Sequence, residues 1–163
     1  MKQPCTGCGL VIENGTAGCH ALFEEMALRD FSDVRYGRVH RVLVDAYCLQ
    51  HPERYCISAK SLAAHLCGTC DTVERNGSSG EINERLRRWL DGPGRLTKPP
   101  LPAFRGSVTI GDVAAAATPE DHHAAVERWS RDVWAAYASL HAIARQWLDE
   151  AMTVGGPVRR PRG

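Results

Sequence analysis

Apolar residues recur at helical spacing through most of this chain, and residues 39–51 show the pattern most clearly. The apolar positions there follow the i, i+3, i+4, i+7 spacing of a helix face. They are Val39, Val42, Leu43, Ala46 and Leu49. The helix should end at His51, because the residue before Pro52 is pushed out of helical geometry. A neighbouring stripe holds His40, Val44, Tyr47 and His51. These two stripes predict a central helix that is buried on more than one side, with two histidines facing inward.

The same spacing predicts further helices over residues 19–30, 58–75 and 81–90. Two start signals follow in the second half of the chain. Thr109 and Asp112 form a capping box that begins a short helix, and Thr118-Pro119 provides an N-cap hydroxyl and a proline at the first helical position. The apolar positions after Thr118 keep near-heptad register as far as Met152. They predict one long closing helix.

These elements predict a mainly α fold, a four- or five-helix bundle in a single domain of residues 1–163. Residues 92–106 form a loop rich in proline and glycine, and this loop is too short to divide the chain into two domains. Residues 154–163 are predicted to be a frayed basic tail. Residues 1–18 hold two cysteines and no extended apolar stripe, so this N-terminal turn needs another source of stability.

Charge and apolar content narrow the range of functions. The chain has 20 basic and 19 acidic side chains, so no overall field draws it to nucleic acid or to an anionic membrane. We find no apolar run long enough to span a membrane and no secretory signal, which predicts a cytoplasmic protein. In a reducing compartment, seven cysteines are expected to be thiols and metal ligands rather than a disulfide framework.

The segment Cys5-Thr6-Gly7-Cys8-Gly9 has the form of half a zinc knuckle. Two residues between the cysteines allow both sulfurs to point at one ion, and glycines permit the tight backbone turn around it. The sequence therefore predicts a zinc site that pins this cysteine-rich turn to the helical bundle. The alternative is a pair of exposed or half-buried thiols in a flexible N-terminus.

A four-coordinate zinc site needs two ligands beyond Cys5 and Cys8. Cys19 is the nearest further thiol, and His51 ends a helix where its side chain can turn away from the backbone. We predict the set Cys5, Cys8, Cys19 and His51. His20 and His40 are alternatives to His51 that the sequence leaves open.

Four cysteines have no place in this set. Cys67 and Cys70 form a second C-x2-C pair, but 58 residues separate it from the first pair, far more than the roughly 15 to 20 of a compact zinc ribbon. Both thiols share one helix face, which favours core packing. The sequence assigns no role to Cys48 and Cys56.

A second candidate site would combine histidines from three helices. His40, His65 and His141 could converge inside the bundle as catalytic groups, with Asp45 orienting one of them or binding a second metal. Each histidine could instead be a core-edge residue satisfied by one hydrogen bond. Asp45 also lies four residues after Arg41, the spacing of an ordinary helical ion pair.

Several segments together resemble a bacterial family of small proteins of unknown function. The matching segments are Cys5 to Gly9, Gly18-Cys19-His20, Val39 to Pro52, Ala64-His65-Leu66, Ile110 to Ala116 and Trp129 to Trp134. The chain departs from the family's pattern in three places. The Cys8 to Cys19 spacing is shorter, His20 stands where tryptophan is typical, and Leu140-His141 replaces a histidine pair. The resemblance implies no particular reaction.

Two functions fit these observations. One is a small metal-dependent enzyme of a bacterial accessory or biosynthetic pathway, with His40, Asp45, His65 and His141 as catalytic residues and an unknown small molecule as substrate. The alternative is a non-catalytic, zinc-stabilised binding module that engages a protein partner. The pattern fixes no reaction, substrate or oligomeric state.

Overall fold

Helices dominate the structure, which is a computed structural model describing residues 1–77 and 79–154. The strands are β1 (Lys2–Pro4) and β2 (Val11–Glu13). The helices are α1 (Gly15–Ser32), α2 (Val34–Gly37), α3 (His40–Gln50), α4 (Pro52–Tyr55), α5 (Ala59–Arg75), α6 (Ser79–Asp91), α7 (Ile110–Ala114), α8 (Pro119–Ala136) and α9 (His141–Thr153). The predicted mainly α bundle is confirmed.

The central helix predicted from residues 39–51 is α3, and it lies in the middle of the bundle. It packs against α5 on one side and α8 on another, while α5 also contacts α6 and α9. Every residue from Asp45 to Gln50 is buried, which confirms burial on more than one side. The end of α3 at Gln50 therefore places His51 inside the protein rather than at its surface.

The first long helix begins four residues earlier than the sequence pattern predicts. Asn14 adopts a left-handed conformation with φ of 63°, and its carbonyl oxygen accepts hydrogen bonds from the amides of Ala17 and Gly18. Helix α1 therefore starts at Gly15, directly after β2. Cys19 lies in the second turn of the helix instead of at its start.

The single closing helix predicted from Thr118 to Met152 is wrong. The helix is interrupted after Ala136, and a 3-10 turn of Ala138–Leu140 joins α8 to α9. Tyr137 sits at the break, fully buried, and its hydroxyl donates a hydrogen bond to the carbonyl oxygen of Leu49 in α3. Neither proline nor glycine marks the break, so the sequence pattern gave no sign of it. The bundle consequently has one more long helix than expected.

The predicted helix starts in the second half of the chain are present. Thr109 and Asp112 form the capping box of α7, with the Thr109 amide donating to Asp112 Oδ2 at 2.8 Å. The Thr118 hydroxyl accepts a hydrogen bond from the Asp121 amide at the start of α8. These caps satisfy amides that have no partner within the helix.

The proline- and glycine-rich loop before α7 is tied to the bundle by two polar side chains. Gln50 Nε2 donates to the carbonyl oxygens of Arg105, at 3.1 Å, and Val108, at 2.8 Å. Asp132 Oδ2 accepts from the amides of Ser107 and Val108. The loop therefore has a fixed path against α3 and α8 without secondary structure of its own.

The predicted basic tail falls on residues outside the described part of the chain, apart from Val154. Within residues 1–77 and 79–154, every helix is too short or too polar to span a bilayer.

Candidate metal centre

Cys5 and Cys8 lie in the loop between the two strands. The strands pair antiparallel, with Pro4 opposite Val11, which leaves a six-residue knuckle between them. The Cys5 amide donates to the carbonyl oxygen of Leu10 at 2.8 Å, and the Gly9 amide donates to the carbonyl oxygen of Cys5 at 2.9 Å. Gly9 has a φ of 78°, a conformation that favours glycine. The knuckle thus turns both thiols toward the bundle.

Gly18 allows α1 to pack close to β2, so that the Cys19 thiol reaches the two knuckle thiols. A Cβ atom at position 18 would lie 1.8 Å from the carbonyl oxygen of Glu13, so only glycine fits against the end of β2. The next residue, Cys19, is fully buried and points toward the knuckle, where its Sγ lies 3.7 Å from Cys8 Sγ.

The fourth residue of the group, His51, directly follows the last residue of α3. Its Nδ1 lies 2.8 Å from the carbonyl oxygen of Tyr47. A carbonyl oxygen can only accept, so Nδ1 carries the proton and Nε2 has its lone pair free. Nε2 lies 3.4 Å from Cys5 Sγ and 3.6 Å from Cys19 Sγ. This is the arrangement in which a histidine binds metal through one nitrogen while a carbonyl fixes the other.

Together, the four ligand atoms of Cys5, Cys8, Cys19 and His51 all lie within 4.8 Å of one another. Zinc bonds to sulfur are about 2.3 Å long, which sets tetrahedral sulfur separations near 3.8 Å. The observed 3.7 Å between Cys8 and Cys19 matches that value. The residues predicted from the sequence therefore come together in a set that fits a tetrahedral ion. Cys5, Cys19 and His51 are buried and Cys8 is partly exposed.

Gly7 is a further residue that this geometry requires, and sequence reasoning gave it no specific role. A Cβ atom at position 7 would lie 2.3 Å from His51 Cδ2 and 3.0 Å from the carbonyl oxygen of Gln50. The knuckle backbone is packed directly against the imidazole ring. Any larger residue would push the ring and the two knuckle thiols apart.

The thiols and the imidazole affect one another's protonation. A hydrogen bond from Cys19 is the main cause that lowers the pKa of Cys8 to about 4, against the opposing effect of burial. The same hydrogen bond, together with burial, raises the pKa of Cys19 well above its usual range. Burial acts to lower the pKa of His51, but contacts with Cys8 and with the Tyr47 carbonyl raise it overall. The Cys19 thiol therefore holds a proton that a bound cation would displace.

Tyr47 packs against two of the four candidate ligands, His51 and Cys19. Its ring stacks on His51 with centroids 4.0 Å apart, and its hydroxyl lies 3.8 Å from Cys19 Sγ. Phe23 stacks on the other face of Tyr47, with centroids 3.9 Å apart. The tyrosine shares a helical stripe with His51 in the sequence, which is the one signal that links the two residues.

The alternative histidine ligands lie elsewhere. His20 Nδ1 is 3.3 Å from the Tyr55 hydroxyl, and His20 Nε2 is 3.4 Å from Glu24. His40 Nδ1 contacts the buried carboxylate of Asp30 at 3.1 Å. In the described part of the chain, His51 is the histidine that joins the three thiols.

The other four cysteines lie in the hydrophobic core. Cys48, Cys56, Cys67 and Cys70 are all buried, and all seven cysteines of the chain are unpaired thiols. Burial raises the pKa of Cys70 to about 11 and that of Cys56 to about 12. The expected core packing of Cys67 and Cys70 is what the structure shows, and it separates them from the knuckle thiols.

The structure brings together two of the four residues predicted to be catalytic. His65 Nδ1 lies 2.9 Å from Asp45 Oδ1, so the aspartate orients this imidazole. Asp45 Oδ2 also accepts from Arg41 Nε at 3.2 Å, which is the ion pair considered as the alternative. Gly68 leaves room for that pair, since a Cβ there would lie 2.2 Å from Asp45 Oδ2.

The other two predicted catalytic residues have separate partners. His40 pairs with Asp30, as described above. His141 stacks on Trp134 with centroids 3.9 Å apart, and its Nε2 lies 2.7 Å from the Trp134 carbonyl oxygen. Among the described residues, the knuckle cysteines with Cys19 and His51 are the group whose ligand atoms meet at metal-binding distances. A catalytic role for His40, Asp45, His65 and His141 stays a prediction.

Comparison with known proteins identifies one similarity. The model of a family of unknown function (DUF5946) matches residues 3–138. The matched region contains the knuckle, Cys19 and His51. Searches of the curated proteins and of the solved structures returned no match.

Proposed function

The chain belongs to the DUF5946 family, and we propose that it is a zinc-binding protein whose metal is structural and whose helical bundle serves as a protein-binding module. The observation that carries the zinc part of this proposal is the closed ligand set. Three thiols and one imidazole from three separate segments lie within 4.8 Å of one another. Such a set fills all four positions of a tetrahedral ion.

The chemistry of the donors favours zinc. Sulfur and imidazole nitrogen are the ligands of structural zinc sites, whereas magnesium and calcium take oxygen ligands. Iron also binds thiolates, so elemental analysis has to decide between the two metals.

The number of protein ligands argues against a catalytic ion. Catalytic zinc sites keep one position open for water or substrate, and here four protein ligands are present. A cavity of about 80 Å³ lies beside His51, lined in part by Tyr47 and Tyr55. Ligand sites usually have several hundred cubic ångströms, so this space is too small for most substrates. A metal-dependent enzyme is therefore the weaker of the two hypotheses.

The ion would supply the stability that the N-terminal segment lacks. All three residues of β1 are exposed, and β2 offers one partly buried side chain, Ile12. The hairpin thus has little apolar surface of its own to bury. Coordination would tie it to α1 through Cys19 and to the end of α3 through His51, since metal binding contributes directly to folding free energy.

Metal content tests the proposal. We expect the protein purified without chelator to contain one zinc ion per chain, and the Cys8→Ser variant to lose it and to melt several degrees lower. Cys48→Ser is the matched control, because Cys48 is a buried thiol outside the ligand set. It should keep its zinc. Wild-type protein without bound transition metal, or full occupancy in Cys8→Ser, would overturn the proposal.

A further inference from the structure

A cavity of about 300 Å³ lies where the chain leaves the end of α6, and we call it the α6 cavity. Its lining comes from the last turn of α6 and the loop that follows, from Lys60 in the first turn of α5 and from Glu150 in α9. The cavity beside His51 measures about 80 Å³, and the two cavities share no lining residue. Small-molecule sites begin at a volume of about 300 Å³, so the α6 cavity has room for a small organic ligand.

Lys60 holds the backbone at the edge of the α6 cavity. Its Nζ donates hydrogen bonds to the carbonyl oxygens of Leu90 and Gly92. Carbonyl groups at the end of a helix have no partner within the helix, so the ammonium group caps α6. The loop is less tightly packed at Gly94, where an added Cβ would meet nothing within 4 Å. The position of the Lys60 charge is therefore fixed, while the space beside the loop stays open.

Apolar side chains form a large part of the lining. They belong to Trp89, Leu90, Leu96 and Val154. The first three pack against the hydrophobic core but are only partly buried. Contact with an apolar group would remove more of their surface from water, which favours binding. The α6 cavity therefore suits a ligand with an apolar body.

Positive charges outnumber negative ones in the lining. Lys60, Arg88 and Arg95 line the α6 cavity together with a single acid, Glu150. Arg88 already forms an ion pair with Glu84, with Nε 2.8 Å from Oε1. Lys60 contacts carbonyl oxygens rather than a carboxylate, and Arg95 is exposed and forms no ion pair with another described residue. Two cations are thus available to an anionic group.

We propose that the α6 cavity binds a small organic carboxylate with an apolar body. The planar guanidinium of Arg95 matches both oxygens of a carboxylate, and Lys60 adds a second positive charge beside it. The apolar body of the ligand packs on Trp89 and Leu96. This proposal goes beyond the zinc site and the binding module, and it depends on neither.

Other occupants fit the lining less well. Inorganic phosphate would pair with the cations but leave the apolar side chains in contact with water. Residues 155–163 directly follow Val154, and they include Arg159, Arg160 and Arg162, whose charge has the same sign as that of Lys60 and Arg95. The combination of apolar surface and unpaired cations therefore selects an amphipathic anion.

Titration of the whole chain with 2-naphthoate and with octanoate tests this proposal. Nuclear magnetic resonance follows the four tryptophan indole N–H signals, and Trp89→Phe identifies the one from Trp89. We expect at least one of the two anions to bind with a dissociation constant below about 1 mM and to shift the Trp89 signal. The signals of Trp129, Trp134 and Trp147 should stay in place, because these side chains are buried and do not line the cavity.

Charge is tested with one variant and one neutral ligand. Arg95→Gln should weaken binding of the anion by about fivefold or more, the usual effect of losing a hydrogen bond to a charged group. Arg38→Gln is the matched control, because Arg38 is also an exposed arginine but lies outside the α6 cavity, and it should bind as wild type does. 2-Naphthylmethanol, which has the same ring and no charge, should bind about fivefold more weakly than 2-naphthoate. Far-ultraviolet circular dichroism confirms that each variant is folded.

Three results would overturn the carboxylate site. They are no binding of either anion at about 5 mM, equal binding of 2-naphthoate and 2-naphthylmethanol, and unchanged affinity in Arg95→Gln. Zinc content of the same samples tests the metal proposal separately. Metal-free protein that binds the anion with the expected variant pattern supports the α6 cavity and overturns the zinc proposal, whereas zinc-loaded protein that binds neither anion does the reverse.

Discussion

His51 Nδ1 lies 2.8 Å from the carbonyl oxygen of Tyr47, one helical turn earlier in α3. This contact fixes which ring nitrogen faces Cys5 and Cys19. It depends on the backbone of Tyr47 rather than on its side chain. A substitution of the Tyr47 side chain should therefore leave the contact that orients His51 intact.

We expect Tyr47→Phe to keep its metal. The variant retains the carbonyl and the stacked ring and loses only the hydroxyl near Cys19, at a cost of about 1 kcal/mol in unfolding free energy. His51→Gln removes the nitrogen ligand and should lose the metal. Metal content and chemical denaturation of both variants check this prediction. Equal metal loss in the two would contradict the assigned role of the carbonyl.

Gly7→Ala should weaken metal binding by about 10- to 100-fold, the usual effect of disturbing the groups that hold a ligand in place. The added methyl group would overlap His51 Cδ2, at 2.3 Å. Competition with a chromogenic chelator measures the affinity. Gly94→Ala is the control, because a Cβ there meets nothing within 4 Å. If both variants bind like wild type, the knuckle does not pack on the imidazole as described.

Acid should destabilise the protein through His122. Burial lowers the pKa of His122, and Arg29 lowers it further, against the pull of Asp30. The unfolded chain takes up this proton below about pH 6.5 while the folded chain does so only at lower pH, so stability falls as pH decreases below about 6.5.

Thermal melts of wild type and His122→Gln at pH 7.5, 6.5 and 5.5 test this pH dependence. The loss of stability between pH 6.5 and 5.5 should be smaller in the variant, because its side chain does not titrate. Comparing the slopes cancels any acid-induced loss of metal, which both proteins share. Parallel slopes would show that His122 makes no contribution.

Cys67→Ser should lower stability without affecting the metal. Cys67 is fully buried, and placing a hydroxyl there costs about 1–3 kcal/mol when it lacks a good partner. One metal ion per chain should remain after purification. Metal loss in this variant would instead indicate that Cys67 and Cys70 bind the same ion as Cys5 and Cys8.

The sequence predicted the clustering of Cys5, Cys8, Cys19 and His51 better than it predicted the helix boundaries. Cys5 and Cys8 have the spacing of a zinc knuckle, and Pro52 ends α3 directly before His51, so these two features of the site are local. The choice of His51 over His20 depends on how α1 and α3 cross, which spacing alone does not give.

The misplaced helix boundaries have a similar cause. The break at Tyr137 follows from packing, since its buried hydroxyl bonds to Leu49 in another helix. Nothing local distinguishes Tyr137 from its neighbours in the apolar pattern. Likewise, α1 begins at Gly15 because Asn14 adopts a left-handed turn after β2, and the apolar stripe of α1 starts only later.

X-ray absorption at the zinc edge, recorded on protein purified without added metal, would report the ligands of the ion itself. We expect three sulfur neighbours at about 2.3 Å and one nitrogen neighbour at about 2.0 Å, with no bound water. A spectrum with fewer than three sulfurs, with an oxygen ligand from solvent, or with no zinc at all would show that Cys5, Cys8, Cys19 and His51 do not form a closed zinc site.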